Sequence, residues 1–371
     1  MERIGATAVL TPDGLVGPAV VVVDDGRIVS VGSPLPGEAV PDRLLGPGFV
    51  DLQINGCGQD DVAGATTAAA WQRLDAAVLA QGTTSWCPTL ITAPLDAYEA
   101  PLGMIAAAAS GSVGTLKATI AGAHLEGPFL GGAPGAHPVE WIRPPDLAWI
   151  ADLPPVVKVM TLGPEQPGAL DAIRLLVDRG VLVSLGHSTC TYEEALAGAA
   201  AGARLVTHLY NAMPALHHRT PGLVGAALSS PDLTPSLIAD LVHVHPAALG
   251  VAVRSCGRGG FVLVTDAVAW EAERVGSRVR IEMRDGAPRL ADGTLAGSAL
   301  TMDAALRNLV NIAGVGLVTA WIAASATPAH LAGLWDRGVI APGMRADLVA
   351  LTAPPELAVE QVWAGGIPVR A

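Results

Sequence analysis

The stretch 181–214 constrains this chain more than any other. Residues 181–187 (VLVSLGH) form a short apolar run ending in His187, and residues 204–208 (RLVTH) form another ending in His208. Between them, residues 191–202 have helix-forming composition, with Thr191 placed to cap the first turn. A strand–helix–strand unit of this kind is right-handed and makes its two strands parallel, so both imidazoles emerge at the same edge of the sheet. Enzymes built on parallel strands place their chemistry at that carboxyl edge. Two imidazoles delivered there by consecutive strands point to a metal site. Either histidine alone reads as readily as a helix cap or a turn residue; the matched placement favours the metal.

The rest of the chain repeats the same alternation. Strand patterns fall at 49–53, 83–87, 119–126, 156–161, 181–187, 204–208, 237–240 and 261–266, with room for a helix between most of them, as at 65–80 and 170–179. Eight such units argue for a (β/α)8 barrel over an open doubly wound sheet. Beyond the last strand, 277–295 reads as a β-hairpin insert with Asp285-Gly286 and Asp292-Gly293 turns. Helices follow at 301–312 and 318–334, and strand character returns at 338–343, 346–351 and 361–369. The N-terminus is also β-rich: 19–23 and 27–31 flank a Asp24-Asp25-Gly26 turn. The expected fold is therefore α/β, a TIM-like barrel over 48–337 with a small β-sandwich domain built from both termini, 1–47 and 338–371.

Composition narrows the function. With 371 residues, 51% of them hydrophobic and 15% charged, the chain can bury a large core. A net charge of −12 argues against nucleic acid as a partner. Cys57, Cys87, Cys190 and Cys256 lie far apart with no CxxC, as reduced thiols of a cytoplasmic protein would. The first residues lack the apolar run of a signal peptide, and the most apolar segment, 310–324, is too short to span a membrane.

The expected strand ends carry Gln53, Glu126, His187, His208, Asp240 and Asp266. Glu126 with His187 and His208 supplies three metal ligands and leaves one tetrahedral position open, as a hydrolytic site needs. The plainer reading of Glu126 is a salt-bridged strand end. Asp266 is placed to take a proton from an attacking water and pass it to a leaving amine; the alternative is that it orients a ligand. His137, in a Gly/Pro-rich loop after Glu126, is placed to polarise a carbonyl, although a loop histidine is more often simply solvated. Arg219, beside His217 and His218 in a chain poor in cations, suits bidentate phosphate recognition, and equally suits a solvated surface. His243 and His245 share that ambiguity, and His124 has no assigned role.

Several runs together resemble one family. These are PGFVDLQING at 47–56, HLEGP at 124–128, GHS at 186–188, THLYNAM at 207–213, VTDA at 264–267, LAGS at 295–298 and PGMRADL at 342–348. The pattern is similar to the N-acetylglucosamine-6-phosphate deacetylase family of the amidohydrolase superfamily. The resemblance implies a homodimer and a divalent metal held by Glu126, His187 and His208, with Asp266 as acid/base and His137 polarising the acetyl carbonyl. It implies sugar-phosphate contacts from Asn211, the Ala212 backbone, Arg219 and His243, some of them across the dimer interface. Leu295, Ala296 and Gly297 match a substrate-lining segment, and Gln53, Ala136 and Asp240 join the expected substrate-binding set. The family reaction converts N-acetylglucosamine 6-phosphate to glucosamine 6-phosphate and acetate.

One departure matters. Amidohydrolases commonly carry His-x-His on the first strand; here the positions are Gln53 and Asn55. Neutral amides are weak ligands for transition metals, so one ion per chain is expected, zinc or iron foremost, with manganese or cobalt also compatible. The competing expectations are an amidohydrolase of another class, such as a dihydroorotase- or adenine-deaminase-like enzyme, and a silent sugar-phosphate sensor. The Asn211 and Arg219 context argues against the first, and Asp266 beside three ligands against the second.

Overall fold

Phe49–Ile54, buried along its whole length, is the first of eight parallel strands around a central core. In the computed structural model, which describes residues 1–369 except Ser277, the others are Thr83–Ile91, Ala123–Glu126, Val157–Leu162, Leu182–Leu185, Leu205–Val206, Thr234–Leu237 and Val262–Leu263. Each pairs in parallel with the next, and a bridge between Ile54 and Ala267 brings the last strand back toward the first. The result is a nearly closed TIM-like barrel. Continuous apolar strands suit this position, because barrel strands face a packed interior on one side and helices on the other. Trp71, Trp86 and Phe49 are fully buried there, each contributing about 1.5–3 kcal/mol or more by area.

The helices sit where their sequences place them. Tyr192–Ala201 begins with a capping box: Thr191 Oγ1 accepts from Glu194 N at 3.1 Å, while Glu194 Oε2 accepts from Thr191 N at 2.8 Å. Ala169–Asp178 and Ala68–Ala80 also agree with the pattern.

Both termini form the second layer system. A three-stranded sheet of Glu2–Ala6, Ala19–Asp24 and Arg27–Gly32 faces a six-stranded sheet that includes Ala8–Thr11, Leu44–Pro47, Leu348–Leu351 and Val359–Ala364. Ile4, Val21, Val23, Ile28, Leu348 and Trp363 share the core between them. Gly46 lets this sandwich approach the barrel. A Cβ there would lie 2.2 Å from Trp321 Cζ2, and the Trp321 indole donates to Pro47 O at 2.9 Å.

Several expectations are corrected. The second strand does not end at 87 but runs to Ile91; the register shifts between Trp86 and Pro88, which accommodates a proline that cannot donate to a ladder. The third is broken at Gly122 (φ 136°) into Thr119–Ile120 and Ala123–Glu126. The seventh lies at Thr234–Leu237, not 237–240, because Ile238 and Ala239 are buried beyond the ladder. The helix expected at 318–334 is two, Leu317–Ala324 and Ala326–Leu331, because Pro328 cannot donate to the Ala324 carbonyl. Residues 338–343 form no strand. The insert is two hairpins, Arg274–Val275 with Val279–Arg280 and Glu282–Arg284 with Ala287–Arg289. Ser277, the expected start of that insert, and residues 370–371 of the expected C-terminal segment lie outside the described residues. No helix among the described residues is long and apolar enough to cross a membrane, and all four cysteines are free.

Candidate metal centre and active site

The short strands leave the sheet just before the chemistry. His187 and His208 stand two residues past Leu185 and Val206, and Asp266 three past Leu263. All three have left-handed backbone, with φ of 50°, 31° and 51°. Such conformations are uncommon away from glycine and are found where surrounding structure enforces them. Here backbone ties do so: His208 N donates to Ser236 Oγ at 2.7 Å, and Asp266 N to Gln53 O at 3.0 Å. Glu126 ends its own strand with 2% exposure.

These side chains converge. His187 Nε2 and His208 Nε2 each lie 3.2 Å from Glu126 Oε1 and 3.0 Å from one another. Ligands about 2.0–2.1 Å from a tetrahedral ion stand roughly 3.3–3.4 Å apart, close to this triangle. His187 Nδ1 lies 3.2 Å from the carbonyls of Ala133 and Pro134, so it carries the proton and leaves the Nε2 lone pair facing Glu126 and His208. Electron-rich atoms crowded in this way fit a divalent cation. His137 is a looser neighbour, with Nε2 3.5 Å from Glu126 Oε2; Glu126, His137 and His187 offer atoms within 4.8 Å of one another. The triangle with His208 is the tighter set.

Electrostatics follow from burial. Burial raises the Glu126 carboxyl, but the imidazoles of His137, His187 and His208 packed around it outweigh burial and hold the group well below the usual range. Burial, reinforced by the Glu126 charge, pushes Asp266 well above its usual value against hydrogen bonds from Asn55 and Gln53. Burial lowers His187, aided by the neighbouring His137.

Gln53 bridges the two carboxylates: its Nε2 donates to Glu126 Oε1 at 2.9 Å and to Asp266 Oδ1 at 3.0 Å. Its side-chain nitrogen is thus committed to two carboxylates, and Gln53 is not among the residues that line the cavity. Asn55 does line it and donates Nδ2 to Asp266 Oδ1 at 2.8 Å. Beneath them, Asp51 accepts from Thr265 Oγ1 at 2.6 Å and Gln53 N at 3.1 Å. His124, unassigned from sequence, is a buried strut: Nδ1 meets Leu52 O at 2.9 Å and Nε2 meets Thr161 Oγ1 at 2.8 Å.

Above the triangle opens a cavity of about 260 Å³. Glu126, His137, His187, His208 and Asp266 line it, as do Ala136, Asn211, Ala212, His243, Leu295, Ala296 and Gly297. Asp240 stands behind it, with Oδ2 2.7 Å from His243 Nδ1; that bond overcomes burial and lowers the Asp240 carboxyl. Arg219 is exposed and outside the cavity, with Nη1 2.8 Å from His218 Nε2 and no ion pair among the described residues. Ile91, Val268 and Val275 form an apolar wall that sequence reading missed, as it missed Thr92, which bonds His137. The signal for Thr92 was its place at a strand end, hidden when the strand was stopped short of Pro88.

Comparison with known proteins agrees with this geometry. Residues 44–369 match the Amidohydrolase family. The chain is 36% identical over 366 residues to N-acetylglucosamine-6-phosphate deacetylase of Vibrio furnissii, covering 94% of this chain and 90% of that one. It is 37% identical to N-acetylgalactosamine-6-phosphate deacetylase of Escherichia coli O157:H7, covering 97% of each. Among solved structures, an aspartate-to-alanine mutant of N-acetyl-D-glucosamine-6-phosphate deacetylase from Mycobacterium smegmatis, in complex with N-acetyl-D-glucosamine-6-phosphate, superposes with a TM-score of 0.90 at 32% identity, over 99% of this chain and 98% of that one. The chain belongs to the amidohydrolase family, in the branch that holds the N-acetylglucosamine-6-phosphate deacetylases.

Proposed function

We propose that this protein hydrolyses the acetamide of N-acetylglucosamine 6-phosphate, giving acetate and glucosamine 6-phosphate. The observation that carries the reading is the Glu126–His187–His208 triangle sharing one cavity with Asp266. Those three residues would hold one divalent ion, zinc or iron foremost, manganese or cobalt as alternatives. When bound, the ion supplies Lewis-acid charge to the acyl oxygen and acidifies water.

The chain's own groups do the rest. His137 faces the acyl oxygen and helps polarise it. Asp266 accepts a proton from the attacking water and returns it to the departing nitrogen, which leaves as an amine. Gln53 fixes the spacing of Asp266 and Glu126. Asn211, the Ala212 backbone and His243, braced by Asp240, hold the sugar phosphate, with Ala136 and Leu295 to Gly297 around the sugar. Arg219, exposed outside its own cavity, reaches the phosphate bound by the other subunit of a homodimer. The same reading makes the protein cytoplasmic, and divides it into a barrel at 48–337 and a sandwich from 1–47 and 338–371.

A second substrate has support of its own, since the 37% identical Escherichia coli relative carries the name of the galactosamine epimer. The test measures acetate and free amine released from both 6-phosphates by the metal-loaded enzyme. Equimolar products with the higher kcat/KM on the glucosamine epimer support the reading. A preference for the galactosamine epimer moves the substrate, and no acetate from either overturns it.

A further inference from the structure

His137 can polarise a carbonyl only if the ring nitrogen facing the cavity carries a hydrogen. A neutral imidazole has one N–H and one lone pair, and its partner at the far nitrogen decides which is which. That partner is Thr92, 1% exposed, immediately after the second barrel strand. Its backbone N–H points at His137 Nδ1 at 3.3 Å, and its Oγ1 lies 2.8 Å from the same atom.

Thr92 Oγ1 also lies 3.3 Å from Glu126 O, a second acceptor for its hydroxyl, so the backbone N–H decides the direction. If Nδ1 carried the hydrogen, it would donate to Oγ1, and the Thr92 N–H would be left buried against another N–H. If Nδ1 is the lone pair, it accepts from the N–H, and the hydroxyl donates to it or to Glu126 O, so both donors are used. The hydrogen of the neutral ring then sits on Nε2, the atom 3.5 Å from Glu126 Oε2 at the cavity wall.

Thr92 is itself held. The Tyr98 hydroxyl donates to Ile91 O at 3.1 Å and accepts from Ala93 N at 3.1 Å, so it staples the residues on either side of Thr92. Tyr98 is 2% exposed. The backbone N–H that reads Nδ1 therefore cannot swing away without breaking a buried pair of hydrogen bonds.

We propose that Thr92 is a positioning residue that fixes His137 in its Nε2–H tautomer, presenting a neutral hydrogen-bond donor to the acyl oxygen of the substrate. The inference rests on the deacetylase reading for what the donor meets, but the tautomer belongs to the protein alone. Losing the hydroxyl while the backbone N–H remains lowers kcat by about tenfold, less than the roughly 10²–10³ lost with a whole oxyanion donor. KM is unchanged, because the donor bonds most strongly as charge develops on the oxygen.

The direct test is long-range ¹H–¹⁵N correlation on zinc-loaded enzyme labelled with [¹⁵N]histidine, the His137 signal being identified by its loss in His137→Asn. The expected result is Nε2 protonated and Nδ1 bare in the wild-type enzyme. Thr92→Val mixes the tautomers and lowers kcat at constant KM, and Thr92→Ser restores both. A wild-type Nδ1–H tautomer overturns the proposal, as does a Thr92→Val enzyme that folds and keeps full kcat. The wild-type spectrum needs neither variant to fold. Absence of acetate release by the wild type would count against the deacetylase reading and leave the tautomer to be judged by the spectrum.

Discussion

Asn55 holds Asp266 by a 2.8 Å hydrogen bond from its side-chain amide to Oδ1, and Gln53 donates to the same oxygen at 3.0 Å. Two amide donors on one oxygen fix the plane of the carboxylate and leave Oδ2 outside this clamp. The first strand and the residue after it, which lack the histidines common in this superfamily, thus serve Asp266, the proton carrier of the proposed reaction.

Asp266→Asn is expected to lower kcat by about 10²–10⁴, because an amide cannot take the proton from water. Metal content stays the same, since Asp266 stands outside the Glu126–His187–His208 triangle. Paired activity assays and elemental analysis check this. Metal lost in step with activity would make Asp266 a ligand.

Arg219→Ala is expected to cost about 10- to 100-fold in kcat/KM for the phosphorylated sugar and little for plain N-acetylglucosamine, as loss of a charge-assisted contact predicts. His243→Ala behaves alike. In the proposed homodimer, where Arg219 serves the partner's cavity, mixing the two variants is expected to restore some activity through hybrid dimers. Equal losses on both substrates would remove Arg219 from the phosphate site.

The histidine strand ends were legible because each follows an apolar run in a repeating βα pattern, and the structure brings His187 and His208 to 3.0 Å. The barrel and the sandwich were legible from the same periodicities. Partners reached across the barrel were not. Nothing near Gln53 in sequence shows that its amide meets carboxylates 73 and 213 residues away. Thr92 lies beyond the strand pattern at 83–87, which the structure extends past Pro88 through a register shift. The apolar run before Asp240 continues through Ile238 and Ala239 past the end of the ladder at Leu237, so its pattern does not mark where pairing stops.

Thr191→Ala removes one arm of the capping box on the helix between the histidine strands. The expected cost is about 1 kcal/mol of stability, read as a lower denaturation midpoint with an unchanged slope. Acetate release at 25 °C stays at the wild-type rate, since the cap touches no residue of the cavity.

Metal analysis of enzyme purified without chelator and dialysed against metal-free buffer is expected to give one equivalent per chain. Gln53 and Asn55 stand where histidines commonly supply the first-strand ligands of a second ion, and a neutral amide oxygen is a weak ligand for a transition metal. Two equivalents, both needed for activity, would require ligands not identified in the triangle.

The most direct measurement follows acetate release from N-acetylglucosamine 6-phosphate by one preparation, first as purified, then stripped by chelator, then during stepwise addition of zinc or iron. The account predicts that activity disappears with the metal and returns linearly to a plateau at one equivalent per chain, and that Glu126→Gln fails to recover. Full acetate release by enzyme verified to be metal-free would contradict it.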